Sequence, residues 1–457
     1  MDMAARRLGE QGVQTTMQAI EQEKRLSLAT RTPWLPGLTS VGPCILRGVL
    51  PKRSRFMVLS EVRRLEPSPI SKRLPNEAFA RKRSVRYSTH IGQNIEFYRS
   101  SDMRTATREK ASYPLRAVPG FYGDHPGIQI GTYVSNTTSD EELQLLQQLD
   151  VKWAMCVINE SELHTAVFYK QIKERLAQYG LQIYRIANHS VHNVPEITLN
   201  LPGRDEKVEE FIRFIRNLGE AGIYYNTYAH MGNGIWSSGH TKGRGGVTAR
   251  VLDIKDAQGN WNGEKYAGAV THGREYSEEE IWDNYEYMIK KIAPVAESEG
   301  VYIGIHPDDP PVYALGGIPR CAFGTFAGYK RALEIADSPN IGVCLCVGCW
   351  LEGGAQGMGC DVLEAIRYFG GLNKLFKVHF RNVSNPMPEP WQETFIDDGY
   401  QDMHQVMQAL RAVDYDGAII PDHIPAMAGG GNTGLAYSIA YMRALVQAVN
   451  NESGGAF

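Results

Sequence analysis

Residues 301–311 read VYIGIHPDDPP. The apolar, β-branched run 301–305 has the composition of a buried strand. The two prolines after it cannot donate to a sheet ladder, so the strand must end there. His306 therefore stands at the C-terminal tip of a strand, where parallel α/β folds place their chemistry. Three later segments repeat the design: IGVCLCVG brings Cys346 to a tip, KLFKVHF brings His379, and DGAIIPDH brings Asp422 and His423.

Working outward, strand and helix patterns alternate from about residue 127. Strands are expected at 127–134, 151–158, 181–188 and 222–230, then in the four segments above. Helices are expected at 139–150, 160–179, 205–219, 277–298, 322–337, 359–369, 401–413 and 432–449. Ser139 with Glu142, and Ser277 with the acids after it, read as helix N-terminal caps. Eight strand–helix units imply parallel strands with crossover helices, and so a TIM (β/α)8 barrel over residues 121–457. A doubly wound open sheet is the alternative, but no Gly-rich phosphate loop follows the first strand. The four polar tips then belong to strands five to eight, whose neighbours lie about 4.8 Å apart. A Gly-rich stretch from Met231 to about Glu275 carries His240, Lys242 and Arg244. It reads either as a cationic lid over an anionic substrate or as a surface insertion or protomer contact.

The net charge of −3 conceals an asymmetry: residues 1–117 carry +12 and the rest −15. Residues 1–120, rich in Pro, Arg and Ser without periodicity, read as a basic, poorly ordered or loosely packed extension, with a partner-contacting arm as the alternative. An acidic body argues against nucleic-acid binding. No apolar run approaches the roughly 18–20 residues of a membrane span. Seven cysteines, four of them between 344 and 360, do not suit a secreted disulfide framework. With no apolar signal segment, a reducing, cytoplasmic location is expected.

Two imidazoles, a thiolate and a carboxylate at successive tips suit a divalent transition ion better than Mg or Ca. Manganese is the first expectation, with iron, cobalt, nickel or zinc as alternatives. Strand alternation turns Cys344 and Cys346 to the same side. Cys346 is nearer the tip, and Cys344 is expected a layer deeper as packing. A separate zinc or iron–sulfur site on Cys344, Cys346, Cys349 and Cys360 is the competing reading, although their spacing matches no standard pairing.

HPDDPP at strand five, the strand-six cysteine, HFRNV (379–383), DDGYQDM (397–403) and PDH (421–423) resemble the mannonate dehydratase family, as does VPEITLNLPGRDEKVEEF (194–211). The resemblance runs over about residues 127–450 and marks a divergent member on a xylose-isomerase-like barrel. It implies a metal-dependent hydro-lyase converting D-mannonate, or a related aldonate, to the 2-keto-3-deoxy acid. Carried over by motif, His306, Cys346, His379 and Asp422 would be metal ligands, and His423 and Tyr437 the proton-transfer groups. Arg381 could hold the substrate carboxylate bidentately. Asp308, Asp309, Asp397 and Asp398 could orient substrate hydroxyls or the ligand histidines. The chain departs from the family at Ile420, where an arginine is usual, and in the third loop, where His189 and His192 lie outside the motif position.

A metal-dependent sugar isomerase or epimerase is the second reading, a non-catalytic sugar-acid binder the third, and a metal-dependent nuclease the last. The partners expected are a small sugar acid and further copies of the chain in a homo-oligomer, with neither nucleic acid nor membrane.

Overall fold

A computed structural model of the chain describes residues 127–452. The basic extension expected over residues 1–120 lies outside them. The described chain begins β1 Gln129–Ser135, α1 Asp140–Gln148, β2 Trp153–Ile158, α2 Ala166–Ala177, β3 Gln182–Asn188, α3 Pro195–Thr198, α4 Arg204–Glu220 and β4 Tyr225–Tyr228. An insertion follows with β5 Ile235–Ser237, β6 His240–Lys242, β7 Thr248–Leu252, β8 Gln258–Trp261 and β9 Glu264–Tyr266. Next come α5 Glu278–Ser298, β10 Tyr302–Ile305, α6 Phe326–Ala336, β11 Ile341–Cys346, α7 Val347–Met358, α8 Val362–Gly371 and β12 Leu375–His379. The chain continues with β13 Asn382–Val383, β14 Trp391–Thr394, α9 Met403–Ala412, β15 Ala418–Ile420 and α10 Gly431–Glu452.

Eight of these strands close a parallel barrel in the order β1-β15-β12-β11-β10-β4-β3-β2. They are the eight strands expected from the sequence. Their apolar residues pack outward against the helices, as Ile303, Val343 and Val378 do, in the main core. Both anticipated capping boxes form, Ser139 with Glu142 and Ser277 with Glu280, satisfying the first free N–H groups of α1 and α5. No helix among the described residues is long and apolar enough to cross a membrane.

Two irregularities of the barrel set up its interior. On β3 the register with β2 jumps from Ile183 to Arg185, and on β12 the register with β11 jumps from Leu375 to Lys377. The extra residues, Tyr184 and Phe376, join Trp153, Tyr225 and Ala418 in an aromatic floor. Above it lie the buried Arg185 and Lys377, both against the Met155 sulfur. Burial and the neighbouring Arg185 pull the Lys377 ammonium down to about 7. The polar strand tips lie beyond this layer.

The sequence pattern missed α7. VGCWLEGGAQGM contains four glycines and reads as loop, yet it forms a buried helix directly on the tip of β11, broken at Gly354 where φ is 64°. The Gly-rich insertion also has more structure than expected. Strands β6 and β7 join β13 and β14 in an antiparallel sheet, and β5, β8 and β9 form a second one.

Candidate active site

Barrel register brings the four tip residues together. Cys346 stands opposite His379, and His379 stands opposite Ile420, two residues before Asp422. Donor atoms of His306, Cys346 and His379 all lie within 4.8 Å of one another. His379 Nδ1 is 3.2 Å from His306 Nε2 and 3.2 Å from Asp422 Oδ1. Asp422 Oδ2 is 3.9 Å from Cys346 Sγ. Asp422 adopts φ 56°, the left-handed conformation that non-glycine residues adopt at a cost, commonly at functional sites.

Each donor is prepared by its surroundings. His306 Nδ1 is 2.7 Å from the Pro307 carbonyl, so it carries the proton and leaves Nε2 with a free lone pair. Cys346 is the N-cap of α7, its sulfur accepting the Cys349 N–H at 3.4 Å. Burial opposes a thiolate, but a hydrogen bond from the Cys349 side chain and the Arg381 charge overcome it and hold the Cys346 pKa well below the usual thiol value. Cys344 is not inert packing: its Sγ lies 3.6 Å from His379 Nε2, so His379 presents Nδ1 to the cluster. Burial works against ionisation there too, but His379 and Lys377 outweigh it and lower the Cys344 thiol to about 6. This N2SO donor set fits a divalent transition ion.

A second group of ligand-type atoms, from Asp309, Cys349 and Glu352, has a different character. Two guanidiniums lie among its donors. Arg381 Nη2 lies 2.7 Å from Glu352, 3.3 Å from Asp309 and 3.3 Å from Cys349 Sγ, and its Nε reaches Asp422 Oδ2 at 3.1 Å. Arg250, from the insertion strand β7, contacts Asp309 at 2.9 Å, Glu352 at 3.2 Å and Glu393 at 2.9 Å. Burial and the adjacent Asp309 push Glu352 up to about 8. Among the described residues, the cysteines do not gather into a four-sulfur site.

His423 stands beside the donor set. Its Nδ1 is 2.5 Å from Glu393 Oε1, and its Nε2 is 4.0 Å from Asp422 Oδ2. Desolvation opposes its charge, but Glu393 and Asp422 outweigh that and raise His423 to about 9. Tyr437, on α10, packs on Phe395 and receives an Arg244 Nη2 hydrogen bond at 3.3 Å. Arg244 also forms a bidentate pair with Asp397 at 2.9 and 3.1 Å and lies 3.6 Å from Asp398. The insertion therefore reaches the barrel mouth through two of its arginines, Arg244 and Arg250.

Three residues expected near the substrate are engaged by protein groups in the structure. Arg381 is 1% exposed and surrounded by carboxylates, so its fork holds protein groups rather than a substrate carboxylate. Asp309 is buried on Arg250 and Arg381. Asp308 is buried as well; desolvation raises it to about 6 against the pull of Arg320. Asp398 stays exposed, 3.6 Å from Arg244 Nη1. His192 Nδ1 donates to the Thr227 carbonyl at 3.2 Å, and the ring packs on Trp261 from the insertion. Sequence reading did not single out Arg250, Glu352 or Glu393, which have no local signature. Ile420, at the family's arginine position, is buried and paired with His379 in the barrel.

A (β/α)8 barrel that gathers two imidazoles, a thiolate and a carboxylate at its mouth, beside a carboxylate-held histidine, has the layout of an enzyme for metal-assisted proton transfer. The D-mannonate dehydratase (UxuA) family model matches residues 144–454. The chain belongs to the D-mannonate dehydratase family and is a hydro-lyase. It is 29% identical over 271 residues to mannonate dehydratase 2 of Halalkalibacterium halodurans, covering 55% of this chain and 76% of that one. Against the mannonate dehydratase of Streptococcus pneumoniae it is 33% identical over 275 residues, covering 55% and 72%. The crystal structure of mannonate dehydratase from Streptococcus suis serotype 2 superposes with a TM-score of 0.63 at 26% identity, covering 73% of this chain and 96% of that one.

Proposed function

We propose that this chain dehydrates D-mannonate to 2-keto-3-deoxy-D-gluconate, with a divalent transition metal held by His306, Cys346, His379 and Asp422. The observation that carries this reading is the convergence of those donors directly beside the His423–Glu393 pair. Manganese is our first choice of ion, with iron, cobalt, nickel or zinc as alternatives. When bound, the ion supplies stabilisation of the negative charge that develops as C2 loses its proton.

The remaining work falls to side chains. Glu393 occupies His423 Nδ1, so Nε2 is the atom that exchanges a proton. Tyr437, held by Arg244, is the second proton-transfer group. One of the two takes the C2 proton, and the other protonates the C3 hydroxyl, which leaves as water. The resulting enol then converts to the 2-keto acid. Arg244 and Asp398 at the mouth are the groups we assign to the incoming sugar acid. Arg381 and Asp309 hold Asp422 and the network beneath it.

Purified protein loaded with manganese is expected to form a 2-keto acid from D-mannonate, read as semicarbazone absorbance. Dialysis against a chelator is expected to abolish turnover, and added manganese to restore it. A tightly bound transition metal without product would overturn D-mannonate as substrate. Absence of any metal binding would overturn the ligand set.

The Cys344 contact has its own test. Cys344→Val removes the group facing His379 Nε2 and is expected to weaken metal affinity about 10-fold. Cys344→Ser retains an acceptor and is expected to stay closer to wild type. Competition against a fluorescent chelator measures both, and equal affinities for all three proteins would return Cys344 to a packing role.

A further inference from the structure

The insertion strand β7 is tied to the His423 side of the proton-transfer apparatus at several points. On one edge it pairs with β14, Trp391 to Leu252 and Gln392 to Val251, and the next residue of β14 is Glu393. At its start, Thr248 forms a bridge with Ala426, three residues after His423, and the Ala426 N–H donates to the Thr248 carbonyl at 2.9 Å. Between these anchors, Arg250 sends Nε to Glu393 Oε1 at 2.9 Å, and that same oxygen lies 2.5 Å from His423 Nδ1. The other Arg250 nitrogens reach Asp309 and Glu352, the two acids that hold Arg381 against Asp422.

This arrangement is more specific than a lid needs. A covering loop needs contacts at its rim, whereas Arg250 is 12% exposed and Glu393 is 7% exposed. A carboxylate at His423 Nδ1 fixes the tautomer and the ring plane, and so aims Nε2. A carboxylate shared by an imidazole and a guanidinium is itself held in one rotamer. Fixing the ring in this way lowers the barrier only when the ring is a reacting group, because orientation is gained at the reacting atom.

We propose that Arg250 and Glu393 are positioning residues for His423, and that the insertion is a working part of the active site rather than a cover or surface addition. This rests on the assignment of His423 as a proton-transfer group. Glu393 acts directly on the imidazole, and Arg250 acts through Glu393.

The test compares manganese-loaded wild type with His423→Asn, Glu393→Gln, Arg250→Gln and the double variant Glu393→Gln/Arg250→Gln. Steady-state turnover of D-mannonate is measured alongside metal content. Each single variant at 250 or 393 is expected to lose about 10- to 100-fold in kcat, with KM changed by less than about threefold and metal content unchanged. The double variant is expected to be no worse than the poorer single one, since both act through one contact. Arg250→Lys, which keeps the charge without the fork, is expected to recover part of the loss. Wild-type kcat in Glu393→Gln, losses that multiply in the double variant, or losses that track metal content would overturn the proposal. If Arg250→Gln does not fold, the isosteric Glu393→Gln decides alone.

A second readout needs no substrate. In zinc-loaded protein, a strongly downfield imidazole N–H proton resonance is expected in wild type and absent from both His423→Asn and Glu393→Gln. If D-mannonate is not turned over, or His423→Asn keeps full turnover, the functional reading fails while this resonance still decides the positioning contact. If His423→Asn is inactive and Glu393→Gln keeps both turnover and the resonance, only the positioning proposal fails.

Discussion

His423→Asn is expected to lose about 10²- to 10⁴-fold in kcat, the range that a positioned proton-transfer group contributes. The variant is chosen so that little else changes. Asparagine keeps an N–H donor near Glu393 Oε1, which now sits 2.5 Å from His423 Nδ1. The donor atoms of His306, Cys346, His379 and Asp422 are untouched, so metal content is expected to match wild type. The amide cannot exchange a proton near neutral pH, whereas an imidazole can. Exchange of the substrate C2 proton with deuterated solvent then divides the two roles. If Nε2 takes the C2 proton, exchange and dehydration fall together in His423→Asn. If Nε2 protonates the leaving C3 hydroxyl, dehydration falls and C2 exchange persists, with Tyr437 as the base. Full turnover in this variant would remove His423 from the mechanism. Epimerase chemistry, which also starts with C–H abstraction, would show exchange without a 2-keto-3-deoxy product.

The strands and the four tips were legible because parallel strands are buried on both faces. A polar residue closing an apolar run, as in YIGIH and LFKVH, therefore stands out. What surrounds the tips was not legible. Glu352 lies on α7, whose four glycines give it poor intrinsic helix propensity. Burial holds that helix in place: Trp350, Leu351 and Met358 are all at most 3% exposed. Arg250 and Glu393 sit on short strands that pair with each other, and the two residues are 143 positions apart in sequence. Arg381 illustrates the converse error. A cation just past a strand tip suggests an anionic substrate, but Arg381 keeps the inward direction of His379. Gly348 leaves room for it: a Cβ there would lie 2.4 Å from the Arg381 side chain. The acids that receive it, at 309, 352 and 422, come from three different barrel units, and no local pattern announces such a meeting.

Arg381→Leu is expected to destabilise the fold by about 3–5 kcal/mol, the cost of stripping one partner from a buried charge network. Arg381 is 1% exposed, Glu352 is 0% and Asp309 is 2%, so water cannot replace the lost guanidinium. Arg250 alone would face Asp309, Glu352 and Glu393, and Asp422 would lose its 3.1 Å contact with Arg381 Nε. A melting-temperature drop of about 5–10 °C is the corresponding thermal signal. The sign of the pH dependence identifies the cause. Burial, with Asp309 beside it, already raises Glu352 from 4.5 to about 8, and Arg381 is one of the groups restraining that rise. Removing Arg381 raises the folded-state pKa further. The folded variant therefore binds more protons than its unfolded chain above about pH 4.5, and its stability falls as pH rises. Wild type loses stability in the same way until its own Glu352 ionises near pH 8, so the deficit is expected to widen above that, larger near about pH 9 than near about pH 6.5, as measured by urea unfolding at both pH values. A deficit independent of pH would point to lost packing of the Arg381 stem instead. Gly348→Ala provides the complementary check. It leaves every charge in place but pushes a methyl against the Arg381 side chain, so weakened metal binding there would show that the position of the guanidinium, and not only its charge, holds Asp422.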